Sequence, residues 1–405
     1  MKLNKSSQLL LVSAASLLVA AVVTACGTLT VDFVYVATAK AAGSYNYGEI
    51  DVFEINSESG FMRQIPTSPF PSGGRDPVAE AVSVDEKNLY VVNQDDNTIV
   101  QFAIGNDGKL YAQNTTNTPG VYPNRVAVSG SYLYVLDTYQ PLATCSTAAP
   151  CAGSVAVYPI GTSGALGTAI TNASAGTSYW PLTLSGSNSS DVVAPTGITV
   201  VSSSSATYVY VTAYDSTANT GYVFGYSASS GVLTPLNGSP YSAGTHPSAA
   251  AGDSTNSYLY VTDYSKNEVL GYSISSGALT PLSGSPFASG SQPSAIAANP
   301  LAGYAYVTNE TDSTITAYSI SSSGALTNLG SFATGLQPVA VGIDPSHNHF
   351  LYTVNFLGNN VSGFMLANDG TLINSQNTPY SANSQPTSVA AVTHGRSSTS
   401  SSSAK

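Results

Sequence analysis

Apolar and polar positions alternate with a period of two along most of the chain, and the alternation restarts at regular intervals. A short run of β-branched and aromatic residues recurs as Val34-Tyr35-Val36, Leu89-Tyr90-Val91, Leu133-Tyr134-Val135, Val209-Tyr210-Val211, Leu259-Tyr260-Val261, Ala305-Tyr306-Val307 and Leu351-Tyr352-Thr353. Period two predicts strands and excludes a helical solenoid, and seven spaced copies predict a repeat. Three further signals follow in constant order. A second strand ends in an aromatic, as in Val269 to Tyr272 and Ile315 to Tyr318. A third opens after a turn glycine at Gly60, Gly108, Gly164, Gly231, Gly277, Gly324 and Gly370. A fourth, of small apolar residues, follows a proline at Pro77, Pro123, Pro195, Pro247, Pro293, Pro338 and Pro386.

Residues 33 to 392 divide into units of about 51 residues, the length of a four-stranded propeller blade. The prediction is an all-β, seven-bladed β-propeller over 33–394. Two stacked β-sandwiches are the competing reading, but sandwiches rarely keep four signals in one repeated order. The chain begins inside a unit at the Tyr35 strand and ends on the small-residue strand at about 388–392. That last strand is therefore expected to pair into the first blade and close the ring, which removes exposed sheet edges.

Blade three departs from the repeat. Tyr134 and Tyr210 are 76 residues apart where Tyr260 and Tyr306 are 46 apart, so an insertion is expected at about 138–194. It holds Cys145, Cys151 and Trp180, the single tryptophan. Trp180 is expected either to pack the insertion onto the blade or to stack on a ligand.

The N-terminus changes the compartment. Lys2 and Lys5 precede the apolar run Leu9 to Val23, and Val23-Thr24-Ala25-Cys26-Gly27 resembles the lipobox of bacterial lipoproteins. Residues 1–25 are thus expected to be a signal peptide, Cys26 the lipidated first residue and 26–32 a linker to the propeller. The chain would then be exported and anchored to the cell envelope. In that setting Cys145 and Cys151 are expected to form a disulfide. Residues 395–405, mostly serine, are expected to be a disordered tail.

Only 8% of residues are charged, and 22 acidic against 11 basic side chains give a net charge of −11. So acidic a chain has no footprint for nucleic acid. No cofactor or phosphate-binding motif is present, no metal site is expected, and the oligomeric expectation is a monomer.

Antiparallel connectivity places the residue before each repeat proline and those after each Tyr strand around one mouth of the channel. Most Asn and Asp after the Tyr strands, Asn93, Asp137, Asp263, Asn309 and Asn355, recur with the repeat and are read as turn-closing side chains. Residues that break the repeat say more. His246 stands where three sister blades have Gln, and Glu310 follows Asn309 on the next blade. A histidine beside a carboxylate can serve as a general base held in one tautomer by the acid.

Gln292-Pro293-Ser294-Ala295-Ile296-Ala297-Ala298-Asn299-Pro300, followed by Tyr304-Ala305-Tyr306-Val307-Thr308-Asn309-Glu310 and Ser313-Thr314-Ile315, resembles the seven-bladed lactonase family, the 6-phosphogluconolactonase-like and YVTN-repeat propellers. The resemblance covers essentially all of 33 to 392. It implies an active mouth built from a His-Pro-His loop, a Pro-Arg-His loop and an Asn-Glu-Leu segment. This chain keeps His246-Pro247 but has Ser248, keeps Asn309-Glu310 but has Thr311, and has Ser294-Ala295 after Pro293. An arginine is the natural clamp for a carboxylate or a developing oxyanion. Arg125 and Arg75 are the candidates to replace it. The expected activity is hydrolysis of a neutral lactone, with His246 activating water, Glu310 orienting His246, and Arg125, Arg75, Asp263 and Asn309 contacting substrate. The alternative is a non-catalytic propeller that binds a glycan, peptide or envelope protein.

Overall fold

The computed structural model describes residues 30–39, 47–146, 148–184, 192–203, 205–345 and 349–393. The signal-peptide and Cys26 expectations and the 395–405 tail lie outside the described residues. Among those described, every regular element is a β-strand, and the strands form seven antiparallel sheets. Each sheet is one blade. Its inner strand begins at or just before the repeat proline: Pro77–Val82, Val121–Ser129, Val193–Ser202, Pro247–Gly252, Pro293–Ala298 and Pro338–Ile343 in blades two to seven. In blades one, four, five and seven the outermost strand is broken into two short pieces, both paired to the third strand.

Blade one draws on both ends of the chain. Its inner strand is Pro386–Thr393, antiparallel to Thr30–Thr38, with Tyr35 opposite Ala390 and Phe33 opposite Val392. The closure expected from the phase of the repeat is therefore the observed one.

The repeated tyrosines form the blade cores. Tyr35, Tyr90, Tyr134, Tyr210, Tyr260, Tyr306 and Tyr352 are at most 1% exposed. A buried phenol needs a hydrogen-bond partner, and in five blades it finds one across the blade boundary. The hydroxyls of Tyr35, Tyr90, Tyr210, Tyr260 and Tyr306 donate to the carbonyls of Gly108, Gly164, Gly277, Gly324 and Gly370, at 2.7–3.1 Å. Each acceptor is the turn glycine of the next blade. Its conformation explains why it is glycine: Gly277 has φ +84°, and a Cβ there would lie 2.5 Å from the Tyr208 ring.

A second belt runs nearer the channel, from the residue after each repeat proline. The side chains of Asn124, Ser248, Ser294 and Thr387 donate to the proline carbonyls of the following blades, Pro195, Pro293, Pro338 and Pro77, at 2.5–2.8 Å. Position after position, polar side chains near the channel are used to hold blade to blade.

The described part of the blade-three insertion around Trp180 packs onto the blades. Trp180 is 4% exposed, pairs with Val155 as part of the outer strand, and joins Leu182, Val193 and Val211 in the core between blades three and four. Cys145 and Cys151 are joined in a disulfide, with Cα atoms 5.5 Å apart.

The interlock gives a direct test. Gly277→Ala adds a clash to the cost of a positive φ, whereas Gly284→Ala, at φ +87° with open space around it, adds only the φ cost. Thermal or denaturant unfolding should show Gly277→Ala losing more stability than Gly284→Ala, with about 1–3 kcal/mol from backbone strain common to both. Equal losses would mean that the inter-blade contact contributes nothing.

Candidate active site

At the mouth of the channel three of the flagged residues meet. Arg125 from blade three, His246 from blade five and Glu310 from blade six line one cavity of about 320 Å³, with Asn124, Pro195, Thr196, Ser248, Tyr264, Ser294 and Val339. His246 sits immediately before the inner strand of blade five, and Glu310 immediately after the second strand of blade six, Tyr304–Asn309. Those two chain positions lie at the same end of a blade.

His246 is held from two sides. Its backbone N–H donates to buried Asp263, whose carboxylate also accepts from Thr245, Ser265 and Lys266 at 2.6–3.2 Å. Its ring stacks on Tyr214 of blade four, centroids 4.3 Å apart and planes 24° apart, and packs at a tilt on Tyr264, 5.6 Å away. Burial lowers its pKa below the ordinary 6.5, against a smaller opposing pull from Asp263. The imidazole is therefore neutral at pH 7 and available to take a proton.

Glu310 reaches His246 only indirectly. Its carboxylate accepts a 2.6 Å hydrogen bond from the Gln337 amide of blade seven. Tyr264, whose phenol pKa is pushed up by burial and then by the charge and hydrogen bonding of Glu310, connects the acid to the histidine. Among the described residues the imidazole makes no hydrogen bond to Glu310; Tyr264 packs on the imidazole and interacts with Glu310. The physical reason is the repeat: Tyr264 and Glu310 occupy equivalent positions on adjacent blades, each following the strand-ending Asx, so an aromatic in blade five stands beside the acid of blade six.

Arg125 is two residues past its proline, where Ala79, Gly197, Ala249, Ala295, Ala340 and Ser388 stand in the other blades. Its side chain opens into the channel and donates to the Asn124 carbonyl at 2.7 Å. It makes no ion pair among the described residues. Arg125 is exposed to the open channel, and a guanidinium without a counter-ion beside a cavity attracts an oxyanion.

The remaining candidates sit elsewhere. Arg75 pairs with Asp96, Nε to Oδ1 at 2.7 Å, and does not line the cavity. Asp263 and Asn309 are fully buried. Asn309 accepts from the Gly290 N–H and donates to Thr314 and Thr316, holding the loop that enters its blade. These two position the mouth without forming its surface. Asn93 and Asn355 are likewise buried at strand ends, and Asp137 is buried within Tyr132–Tyr139. Tyr214 and Tyr264 were not picked out from sequence as parts of the site, whereas Gln337, the residue before Pro338, falls in the set expected at the mouth. The signal that would have found the two tyrosines is the repeat phase, since both are aromatics at the position occupied by Glu310.

The sequence profile of the family described as "Lactonase, 7-bladed beta-propeller" matches residues 44–144 and 269–395. The chain belongs to the seven-bladed β-propeller lactonase family. The matched stretches contain Arg125 and Glu310; His246 falls in the unmatched part, which also holds most of the blade-three insertion and blade four. Sequence comparison with curated proteins finds no match. Among solved structures, this lactonase-family propeller is similar to a Bacteroides fragilis protein designated a 6-phosphogluconolactonase, with TM-score 0.72 and 19% identity over 90% of this chain and 99% of that one. A Pseudomonas aeruginosa periplasmic gluconolactonase gives TM-score 0.67 and 17% identity over 90% and 99%. At these identities the likeness shows the fold.

Three buried acids in this lactonase-family chain hold their protons unusually tightly. Burial raises Asp51 to about 6, Asp137 to about 7 and Glu80 to about 8, against partial relief from nearby N–H and hydroxyl groups. Over the range from about 4 to about 8 the folded protein keeps protons that the unfolded chain releases, so stability must fall as pH rises through that window. Denaturant titrations at pH 5 and pH 8 should give the higher midpoint at pH 5. Asp137→Asn should flatten the decline between pH 4 and 7, and an unchanged pH dependence would contradict this role for Asp137.

Proposed function

We propose that this propeller hydrolyses a neutral lactone at the Arg125–His246–Glu310 cavity. The observation that carries the reading is the convergence of a counter-ion-free guanidinium, a neutral histidine and a held carboxylate, from three blades, in one cavity at the channel mouth. Family membership and the lactonase names of its structural neighbours support the reaction class.

The division of labour follows from the chemistry. A water between His246 and the bound ester attacks the carbonyl carbon while the imidazole takes its proton. Arg125 stabilises the negative charge that develops on the carbonyl oxygen, worth most where protein has displaced water. The ring C–O bond then breaks, and the histidinium returns the proton to the departing alkoxide, leaving a hydroxy acid. Glu310, held by Gln337, fixes Tyr264 and through it the plane of the imidazole.

We also infer that the protein is exported and lipid-anchored through Cys26. Lys2 and Lys5, the apolar run and the small residues before Cys26 support this, as does a disulfide that fits an oxidising compartment. Cys26→Ser should move the protein from the membrane to the soluble fraction of the expressing bacterium; unchanged membrane retention would contradict it.

Against a panel of neutral lactones, His246→Ala and Arg125→Ala should each lower kcat/KM about 10²–10³-fold. Glu310→Gln, which keeps the shape and the Gln337 contact, should cost less than either. The acid limb of the kcat/KM profile should have an apparent pKa below 6.5, because burial lowers that of His246. Absence of turnover across the panel by a folded protein would overturn the hydrolytic reading and leave a binding propeller.

A further inference from the structure

The chain enters the propeller on the face opposite the candidate active site. His246 and Glu310 mark the mouth, one before an inner strand and the other after a second strand, and the backbone ties such positions together. The Tyr264 N–H donates to the His246 carbonyl, and the Glu310 N–H to that of Gln292, both at 2.9 Å. Blade one repeats the contact, with the Ala39 N–H donating to the Gln385 carbonyl at 2.9 Å. Ala39 is therefore at the mouth. Thr30–Thr38 leads up to it from the other side, and Thr30 pairs with Asn56 at the far end of Tyr47–Asn56. At about 3.3 Å per residue, the strand holds Thr30 roughly 30 Å from the mouth.

Cys26 lies four residues before Thr30. Four residues reach at most about 14 Å, whatever path they take. An acyl anchor on Cys26 therefore cannot bring the mouth down to a bilayer, because the strand that separates the two is longer than the tether.

The face on which Thr30 lies is built from the turns between first and second strands and between third and fourth strands. Two of those turns present apolar side chains, Val84 of blade two, 63% exposed, and Leu301 of blade six, 75% exposed, on opposite sides of blade one. Lys87 and Lys109 of the same face pair with Asp85 and Asp107. What this face offers a membrane is thus apolar contact under a short tether, not a basic patch. Exposed leucines stand on the mouth face too, at Leu336 and Leu357, so it is the tether that decides between the faces.

We propose that the face opposite the mouth is a membrane-docking surface. On the reading that Cys26 is lipid-anchored, on which this part rests, the tether lays the turns carrying Val84 and Leu301 on the lipid surface. The active mouth then points away from the bilayer and takes its ligand from the aqueous phase.

Energy transfer from protein to lipid tests the orientation. The lipidated full chain, purified from membranes of the expressing bacterium, is placed in phosphatidylcholine vesicles that carry an acceptor dye on some headgroups. A donor dye is attached at Val84→Cys, Leu301→Cys or Leu357→Cys, all at exposed positions; acylation of Cys26 and the Cys145–Cys151 disulfide leave the introduced thiol to react. Transfer from Val84→Cys and Leu301→Cys should be similar, and about threefold or more above that from Leu357→Cys, given roughly 30 Å between the faces. Should Leu357→Cys fold poorly, Leu336→Cys reports on the same face. Equal transfer from both faces by an anchored protein would leave the anchor standing and overturn the orientation. Strong transfer from Val84→Cys with weak transfer from Leu301→Cys would set the propeller on its rim and overturn it as well. Cys26→Ser keeps the two readings apart: if it stays with membranes as the parent does, the anchor falls, and this proposal with it.

Discussion

The rest of the molecule depends on one pairing, between the last described strand and the first. A single blade has two apolar faces and cannot bury them alone; each face is covered only by a neighbouring blade, and the seventh and first blades become neighbours only when Pro386–Thr393 adds itself to Thr30–Thr38. Closure then fixes the spacing on which the other contacts rely. Tyrosine hydroxyls reach the turn carbonyls of the next blade, and the hydroxyl and amide side chains beside the repeat prolines reach the next proline carbonyls. A cavity lined from blades three to seven has no existence in an open chain.

The chemistry at the mouth follows from how few charges the protein carries. With 8% charged residues, most of the interior surface offers no counter-ion, so a charged group placed there keeps its field. Arg125 has no ion-pair partner among the described residues, His246 is kept neutral by burial between two tyrosine rings, and Glu310 is held by an amide rather than by a base. Elsewhere the same scarcity has a cost. Asp137 and Glu80 are buried without enough donors to keep them ionised.

The fold was legible in the sequence because it is repeated: seven tyrosines and seven glycines each sit where a blade core or an inter-blade turn requires that residue, and the requirement recurs in every unit. The candidate site was legible only where the repeat is broken by a residue with evident chemistry, as at His246, Glu310 and Arg125, which the fold brings to one cavity. Tyr264 and Tyr214 escaped because tyrosine is the commonest aromatic here, with 26 copies, and an extra one carries no signal until its position in the blade is known. Arg75 could not be separated from Arg125 by sequence, since its ion pair with Asp96 depends on a hairpin tip folding back. Asp263 and Asn309 were flagged for their chemistry, whereas the fold uses them to fix backbone N–H groups at a strand end that water cannot reach.

The central claim is that residues from separate blades act as one unit on one bound molecule, and a double-mutant cycle measures that directly. The kcat/KM for a neutral lactone would be compared across the parent, Arg125→Ala, His246→Ala and the double variant. Groups that serve the same transition state are strongly non-additive, so the double variant should be little slower than the worse single one. Multiplying losses, or a single variant that hydrolyses lactone as well as the parent, would contradict a shared site.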